Sequence, residues 1–284
     1  GYFFLTQMMP LELEDIKQYT LLEVLPAFTF GRTQEANEST QGELVRNEDL
    51  DIGDLSLTGK YGITSQLILD GTWNPDFSQV EADAGQVDVN LRYDLYYPEK
   101  RPFFLEGSEM FQLAGASEAD PLLAVVHTRT IVDPRVGFKL SGKVGKKDTV
   151  ASIFALDESP SGDPAYEPGG ARYAGFAVLR YRRAVAGDGY LGAFYTGREY
   201  AGGSNRVAGA DGQLRLSRSS MLGFHGFGSW TKTEAESAAA AGAALGMDYL
   251  YDTRNLGLSL LFYDITKDFQ TDTGYLTRRG VAGL

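Results

Sequence analysis

The stretch Pro98–Gly107 carries a dense set of chemically active residues: Glu99, Lys100, Arg101 and Glu106 surround the apolar run Phe103, Phe104 and Leu105. Charges of both signs around such a run suit an inward-folded constriction, where they pair and set pore selectivity as charge rings do in channels. The same residues also suit a rigid corner, with Pro98 and Pro102 fixing φ and the aromatics anchoring the reversal to a wall. Glu99 with Glu106, or Asp76 with Glu81, has the composition of a glycosidase couple. With 38 acidic residues in the chain, however, some carboxylate pair is inevitable. A second set comprises the cations Lys60, Arg92, Arg135, Lys139, Lys143, Arg180, Arg182 and Arg215, all within polar stripes of the sequence. Facing a lumen they would favour anionic or polyhydroxylated solutes. Alternatively they pair with Asp54, Asp70, Asp88, Asp94 and Asp211 in a network that fills an interior.

Other chemistries find less support. The acidic stretch 33–53 holds Glu35, Glu38, Glu43, Glu48, Asp49 and Asp51 without the Gly-punctuated spacing of a calcium loop, and is expected to be a solvated loop. His127 and His225 fall in separate strand-like patterns, where packing or lumen roles are expected. With no Cys and two His, the chain offers no thiolate chemistry and little for zinc. No nucleophile-elbow sequence supports a Ser-His-Asp triad. No catalytic activity, cofactor or metal is expected.

These residues are positioned by strands. Gln86–Leu95 alternates Val87, Val89, Leu91, Tyr93 and Leu95 against Gln86, Asp88, Asn90, Arg92 and Asp94. A period of two gives a strand one wet and one apolar face. Similar alternation marks 54–61, 135–144, 207–218, 245–251 and 256–262, and weaker alternation marks 21–32, 65–74, 122–131, 148–157, 172–184, 189–199 and 221–232. That makes roughly thirteen strands of ~8–13 residues, near the ~9–11 that cross a bilayer at a tilt. Tight links at Gly62–Thr64, Gly145–Lys147, Val185–Asp188, Ser219–Ser220 and Thr253 alternate with longer polar links at 33–53, 75–86, 158–171, 200–205 and 233–242. Such asymmetry is expected of an up-and-down meander with all its tight turns at one end. The short Val132–Pro134 link and the long 98–121 link fall on the wrong sides of this scheme. Gly1–Thr20 is expected to be a lead-in, and the Ala-rich run at 238–244 to be loop plus strand.

Composition bounds the rest. Of 284 residues, 43% are hydrophobic and 23% charged, and the net charge is −12. The acidic balance argues against a protein held to nucleic acid by a basic surface. No apolar run reaches the ~18–20 residues of a membrane helix, but a transmembrane β-barrel hides its lipid face in alternating residues. Trp73, Tyr97, Trp230, Tyr249, Tyr251 and Tyr275 lie near strand ends, where interfacial girdles form.

Several blocks carry a resemblance. Asn74, Pro75, Asp76 and Phe77 are followed by Glu81 and Asp83, then by Pro98, Glu99, Lys100, Arg101, Pro102, Phe103, Phe104, Leu105, Glu106 and Gly107. Near the end come Tyr263, Asp264, Asp268, Phe269, Gly274, Tyr275, Arg278 and Arg279. Their order and spacing resemble a family of bacterial outer-membrane β-barrels of unassigned function, whose members commonly follow a family-nine-like carbohydrate-binding module. His127-Thr128-Arg129 departs from the aromatic and paired arginines more usual there.

The expected fold is therefore all-β, an antiparallel up-and-down meander forming part of a transmembrane β-barrel over 21–284, incomplete at its C-terminus, with a plug-like insertion at 75–121. The expected function is a channel or receptor-type component in the bacterial outer membrane for glycans or other polar solutes. The expected partners are outer-membrane lipid, such solutes and other envelope proteins, and not nucleic acid. The rivals are a non-conducting anchor, a loop-borne glycan hydrolase and a soluble β-sandwich.

Overall fold

The computed structural model describes residues 20–38, 44–75, 77, 96–115, 119–158, 173–186, 188–233 and 238–284, with backbone alone for 31–38 and 44–54. The strands are β1 (Leu22–Glu38), β2 (Leu44–Thr64), β3 (Leu67–Trp73), β4 (Leu122–Ala124), β5 (Pro134–Val144), β6 (Asp148–Asp157) and β7 (Ala174–Ala184). They continue as β8 (Tyr190–Tyr200), β9 (Gly203–Ser217), β10 (Ser220–Thr233), β11 (Ala240–Asp252), β12 (Gly257–Ile265), β13 (Tyr275–Leu276) and β14 (Val281–Gly283). Among the described residues, twelve form one antiparallel sheet in the order β1-β2-β3-β5-β6-β7-β8-β9-β10-β11-β12-β14. Apart from β4 and β13, which stand outside it, the sheet follows chain order. Strands joined by tight links, such as β5 with β6 and β9 with β10, pair as antiparallel neighbours because such a link leaves them nowhere else to go. The sheet edges β1 and β14 are not paired with each other, and no closed barrel is formed among the described residues.

Alternation separates two faces. On β5, Phe138 is 52% exposed and its neighbour Lys139 only 1%. On β11, Leu245 is 49% exposed beside a fully buried Ala244. Leu57, Leu69, Phe154, Leu179, Leu191, Trp230, Met247, Leu258 and Leu260 extend the exposed apolar face across the sheet. The opposite face carries Asp70, Lys139, Arg180, Asp211, His225, Asn205 and Thr196, all buried. This inverts the ordinary soluble arrangement, in which charge faces water and the apolar stripe faces the core.

The polar face is covered by the chain between β3 and β5. That stretch includes one helical turn, α1 (Pro102–Leu105), and 3-10 turns at Ser108–Phe111 and Thr128–Thr130. Its Phe103, Phe104, Phe111, Leu122, Val125 and Ile131 pack with the apolar members of the inner face, among them Ile153, Phe176, Val178, Phe194 and Phe227. The stretch 266–273, after β12, joins them through a buried Phe269.

Several expectations need correction. The expected strand at 122–131 is only β4, which pairs with β13 in a separate two-stranded ribbon and then gives way to the 3-10 turn. Its apolar residues are spent on packing the insertion. β3 pairs directly with β5, so everything between them is one long link. The two links that broke the alternation of turn lengths, 98–121 and Val132–Pro134, both lie within it. The expected acidic loop at 33–53 is largely hairpin, with β1 and β2 paired out to Glu38 and Leu44. The link at 200–205 shrinks to Ala201 and Gly202, and the turn expected at Gly62–Thr64 falls at Ser65 and Gln66. The lead-in at 1–19 and the strand at 86–95 lie outside the described residues.

Candidate functional site: the inserted segment and its seat

The insertion crosses the polar face strand by strand, and a charged side chain meets it at most crossings. At β2, Lys60 Nζ donates to both Glu106 carboxylate oxygens, at 2.8 and 2.6 Å. At β5, the buried Lys139 Nζ donates to the main-chain oxygens of Phe103 at 2.8 Å and Glu106 at 2.9 Å, with Asp70 at 3.5 Å. It thereby caps the orphan carbonyls at the end of α1. At β7, Arg180 Nε reaches the Met110 oxygen at 3.4 Å, and Arg182 donates to the Gln112 oxygen. At β9, Asp211 accepts the Ala114 N–H at 3.1 Å, two bonds from Arg180 at 2.5 and 2.8 Å, and the Tyr190 hydroxyl at 3.1 Å. At β10, His225 Nδ1 donates to the Ala114 oxygen at 3.0 Å. Main-chain groups at 103–114 that would otherwise be buried without partners are thus satisfied by side chains of the wall.

The corner itself is held internally. Glu99 Oε1 accepts from the Lys100 and Arg101 N–H groups and from Arg101 Nε, at 3.0, 2.9 and 2.9 Å. Its Oε2 accepts from Arg101 Nη2 at 2.8 Å and the Thr128 hydroxyl at 2.5 Å. Burial alone would raise the Glu99 carboxyl, but these bonds and the Arg101 charge outweigh it and hold the group below its usual value. Arg101 also donates to the Ile131 and Thr128 oxygens, at 2.6 and 2.7 Å, and lies 4.4 Å from the Phe104 ring centre and 5.1 Å from that of Phe77. The hydrogen bond from Lys60 holds Glu106 below its usual value too.

A second stretch is seated beside the first. Asn205 Nδ2 donates to the Gln270 oxygen at 3.0 Å, and Asn205 Oδ1 accepts the Asp272 N–H at 2.9 Å. The Ser229 hydroxyl accepts the Gln270 N–H at 3.1 Å. The His127 N–H then donates to the Thr273 oxygen at 2.7 Å, joining the two stretches.

Open cavities flank the insertion. One, of about 420 Å³, is lined, among the described residues, by members of 96–128, including Tyr96, Glu99, Phe104, Phe111, His127 and Thr128. The His127 ring lies 4.9 Å from Tyr96 and 5.7 Å from Tyr275. Burial pushes its imidazole below the ordinary value, with Arg101 adding to the effect against the pull of Glu99, so it is neutral at pH 7. Another, of about 320 Å³, lies between the insertion and the β1–β3 wall and is lined by Lys60, Asp70, Phe77, Glu106 and Lys139.

The sequence-derived residues divide accordingly. Lys60, Lys139 and Glu106 converge, as do Phe77, Glu99, Arg101 and Phe104. Asn74 Oδ1 accepts from Arg135 Nη1 at 2.7 Å, its Nδ2 donates to the Leu55 oxygen at 3.1 Å, and Pro75 follows in the wall of the smaller cavity. Pro102 opens α1, and Gly107 adopts φ 77° before the 3-10 turn. Arg215 pairs at 3.7 Å with Asp188, away from the insertion, and Lys143, Arg278 and Arg279 are exposed. Asp76, Glu81, Asp83 and Arg92 lie outside the described residues. Glu99 and Glu106 line different cavities and each is bound by a cation, so they do not converge as an acid–base couple. Tyr275 belongs to the ribbon against Tyr96, 5.0 Å away, and not to a girdle. Sequence reasoning missed Asp120 and the partnership of Thr128 with Glu99. The Asp-Pro step at 120–121, at a turn, was the signal available for the first.

Fold and site together define an all-β protein whose antiparallel sheet holds an inserted segment on its charged face. A family model described as a domain of unknown function (DUF5916) matches residues 28–116, a stretch that runs from within β1 through β2 and β3 and includes both the Asn74–Phe77 and Pro98–Gly107 blocks. No curated protein and no solved structure matches the chain.

Proposed function

We propose that the chain supplies wall and plug of an outer-membrane β-barrel, a gated channel or receptor-type component handling glycans or other polar solutes. The observation that carries this reading is the inverted sheet, exposed and apolar on one face, charged and filled on the other. An apolar surface of this extent, running across the sheet from β2 to β12, belongs against lipid or protein, since monomers in water rarely expose patches beyond a few hundred Å². No described helix is long and apolar enough to cross a membrane, so strands would do the crossing. The solute class rests on the resemblance to barrels that follow a carbohydrate-binding module. The aromatic and polar lining of the larger cavity, with Tyr96, His127 and Thr128 beside a Glu99 already paired with Arg101, suits an uncharged polyhydroxylated ligand. Planar-bilayer conductance of the complete protein tests the channel: openings blocked by oligosaccharides are expected, and a silent membrane with no oligosaccharide binding contradicts it.

A second reading has its own support. The insertion is tied down from β2 to β10, which suits a closed barrel serving as an anchor or as a subunit of a larger envelope assembly. A silent membrane together with co-purifying envelope proteins is the outcome that reading expects.

A further inference from the structure

Where the insertion meets β10, two buried polar atoms face one another without a hydrogen bond. Asp120 Oδ2 and His225 Nε2 are 3.6 Å apart, their side chains are 0% and 1% exposed, and neither atom has a partner among the described residues. The bonds around them fix their character. His225 Nδ1 lies 3.0 Å from the Ala114 oxygen. A carbonyl only accepts, so Nδ1 carries the hydrogen, and a neutral ring then presents Nε2 as a bare lone pair. Asp120 Oδ1 already accepts the Leu122 N–H at 2.8 Å. An ionised Asp120 would thus turn a second lone pair toward the first, in a site with no water-exposed surface. One proton between Oδ2 and Nε2 converts that opposition into a charge-assisted or neutral hydrogen bond.

We propose that Asp120 and His225 form a one-proton binding site at the joint between insertion and wall, and that its occupancy sets how firmly the insertion is held.

The surroundings favour a single proton. From β9, Asp211 stands opposite His225 in register, but Arg180, Tyr190 and the Ala114 N–H already satisfy it. From β11, Gly246 stands opposite His225, and a side chain there would have its Cβ 2.5 Å from Nε2 and 2.8 Å from Asp120 Oδ2. Only glycine leaves the pair in contact. Asp248, also on β11, stands opposite Gly223. On β10 itself the nearest ring is Phe227, 5.8 Å away. From the insertion, Asp120 is the titratable group. Burial pushes its carboxyl up to about 6, against the pull of the Leu122 N–H.

The sign follows from that direction. A carboxyl whose value is raised in the seated state favours seating when protonated, so the hold is fullest in acid and is lost as pH rises through about 6. The difference between the ordinary 3.8 and about 6 corresponds to roughly a hundredfold change in the opening equilibrium across the whole titration, of which about tenfold falls above pH 5.

The test uses the folded full chain and does not depend on what solute it handles. Because the sequence has two histidines, ¹⁵N-imidazole NMR gives two ring systems, with His127 as internal reference. His225 is expected to hold its hydrogen on Nδ1, with an Nε2 resonance that titrates between pH 5 and 8. Amide hydrogen exchange of peptides covering 108–115, corrected for the intrinsic pH dependence, is expected to quicken at least tenfold over the same range. In Asp120→Asn, whose amide donates to Nε2 at every pH, that exchange is expected to stay slow and flat. A neutral His225 ring with its hydrogen on Nε2 in place of Nδ1, no titration of the His225 resonances, or the same pH dependence in Asp120→Asn overturns the proposal. Should Asp120→Asn fail to fold, the NMR titration of the unaltered chain decides alone.

Discussion

Arg180 and Asp211 meet as a bidentate ion pair across two strand spacings, from β7 to β9, at 2.5 and 2.8 Å, both side chains essentially without solvent contact. The strand between them contributes Gly192, where a Cβ would stand 2.4 Å from Arg180 Nη1 and 2.7 Å from Asp211 Oδ1. The pair is the centre of the seat, because both members also bind the main chain of the insertion.

Removing one partner should therefore cost far more than removing both. Arg180→Met leaves Asp211 buried and unpaired, a change worth about 3–5 kcal/mol, whereas a well-packed Arg180→Met/Asp211→Leu double variant should recover much of it. Denaturant unfolding in detergent measures both. Equal losses in the single and double variants would show the pair to be no more than packing.

Gly192→Ala should act on the same pair without removing a charge. The added methyl must displace Arg180 or Asp211, for about 1–3 kcal/mol, and loosen the insertion. Protease nicking within 103–115 is the readout, expected to quicken in Gly192→Ala and to stay slow in an Ala substitution at exposed Leu191.

Lys139 and Lys60 should differ although both reach Glu106. Lys139→Met strips Phe103 and Glu106 main-chain oxygens of their buried donor and should destabilise by about 1–3 kcal/mol. Lys60→Met breaks a half-exposed pair worth less than about 1 kcal/mol. If the insertion occludes a pore, Lys139→Met should also raise bilayer conductance well above that of Lys60→Met.

Acid should work on the corner in the sense opposite to Asp120. Glu99 is held below its usual value, so its bonds to Arg101 and Thr128 contribute fully above the ordinary 4.5 and are lost as pH falls through the lowered folded value. Protection of 98–105 against exchange should drop on strong acidification in the unaltered chain. Glu99→Gln should show that loosening already at neutral pH and little further change.

Much of the sheet was legible because its two faces differ so sharply in chemistry. Lys139 between Phe138 and Leu140 cannot be read as anything but a period of two. The hairpin beyond Arg32 was not legible, since 33–53 lacks the apolar alternation that marks a half-buried strand. β4 was overread for the opposite reason: Leu122, Val125 and Ile131 are apolar because they pack within the insertion. The Pro98–Gly107 block stood out by composition, but not its partners. Thr128 reaches Glu99 and His225 faces Asp120 only because of the path the insertion takes across the wall, a relationship between stretches 29 and 105 residues apart that local pattern does not encode.

The claim on which the rest depends is that the apolar face meets lipid. The chain has two tryptophans, Trp73 and Trp230, and both are exposed on that face. Their fluorescence in vesicles containing acyl-brominated phospholipid is the most direct measurement. Strong quenching by the brominated lipid, with little by aqueous iodide, is expected. A chain that stays in water without detergent, its tryptophans quenched by iodide and indifferent to the lipid, would contradict the account.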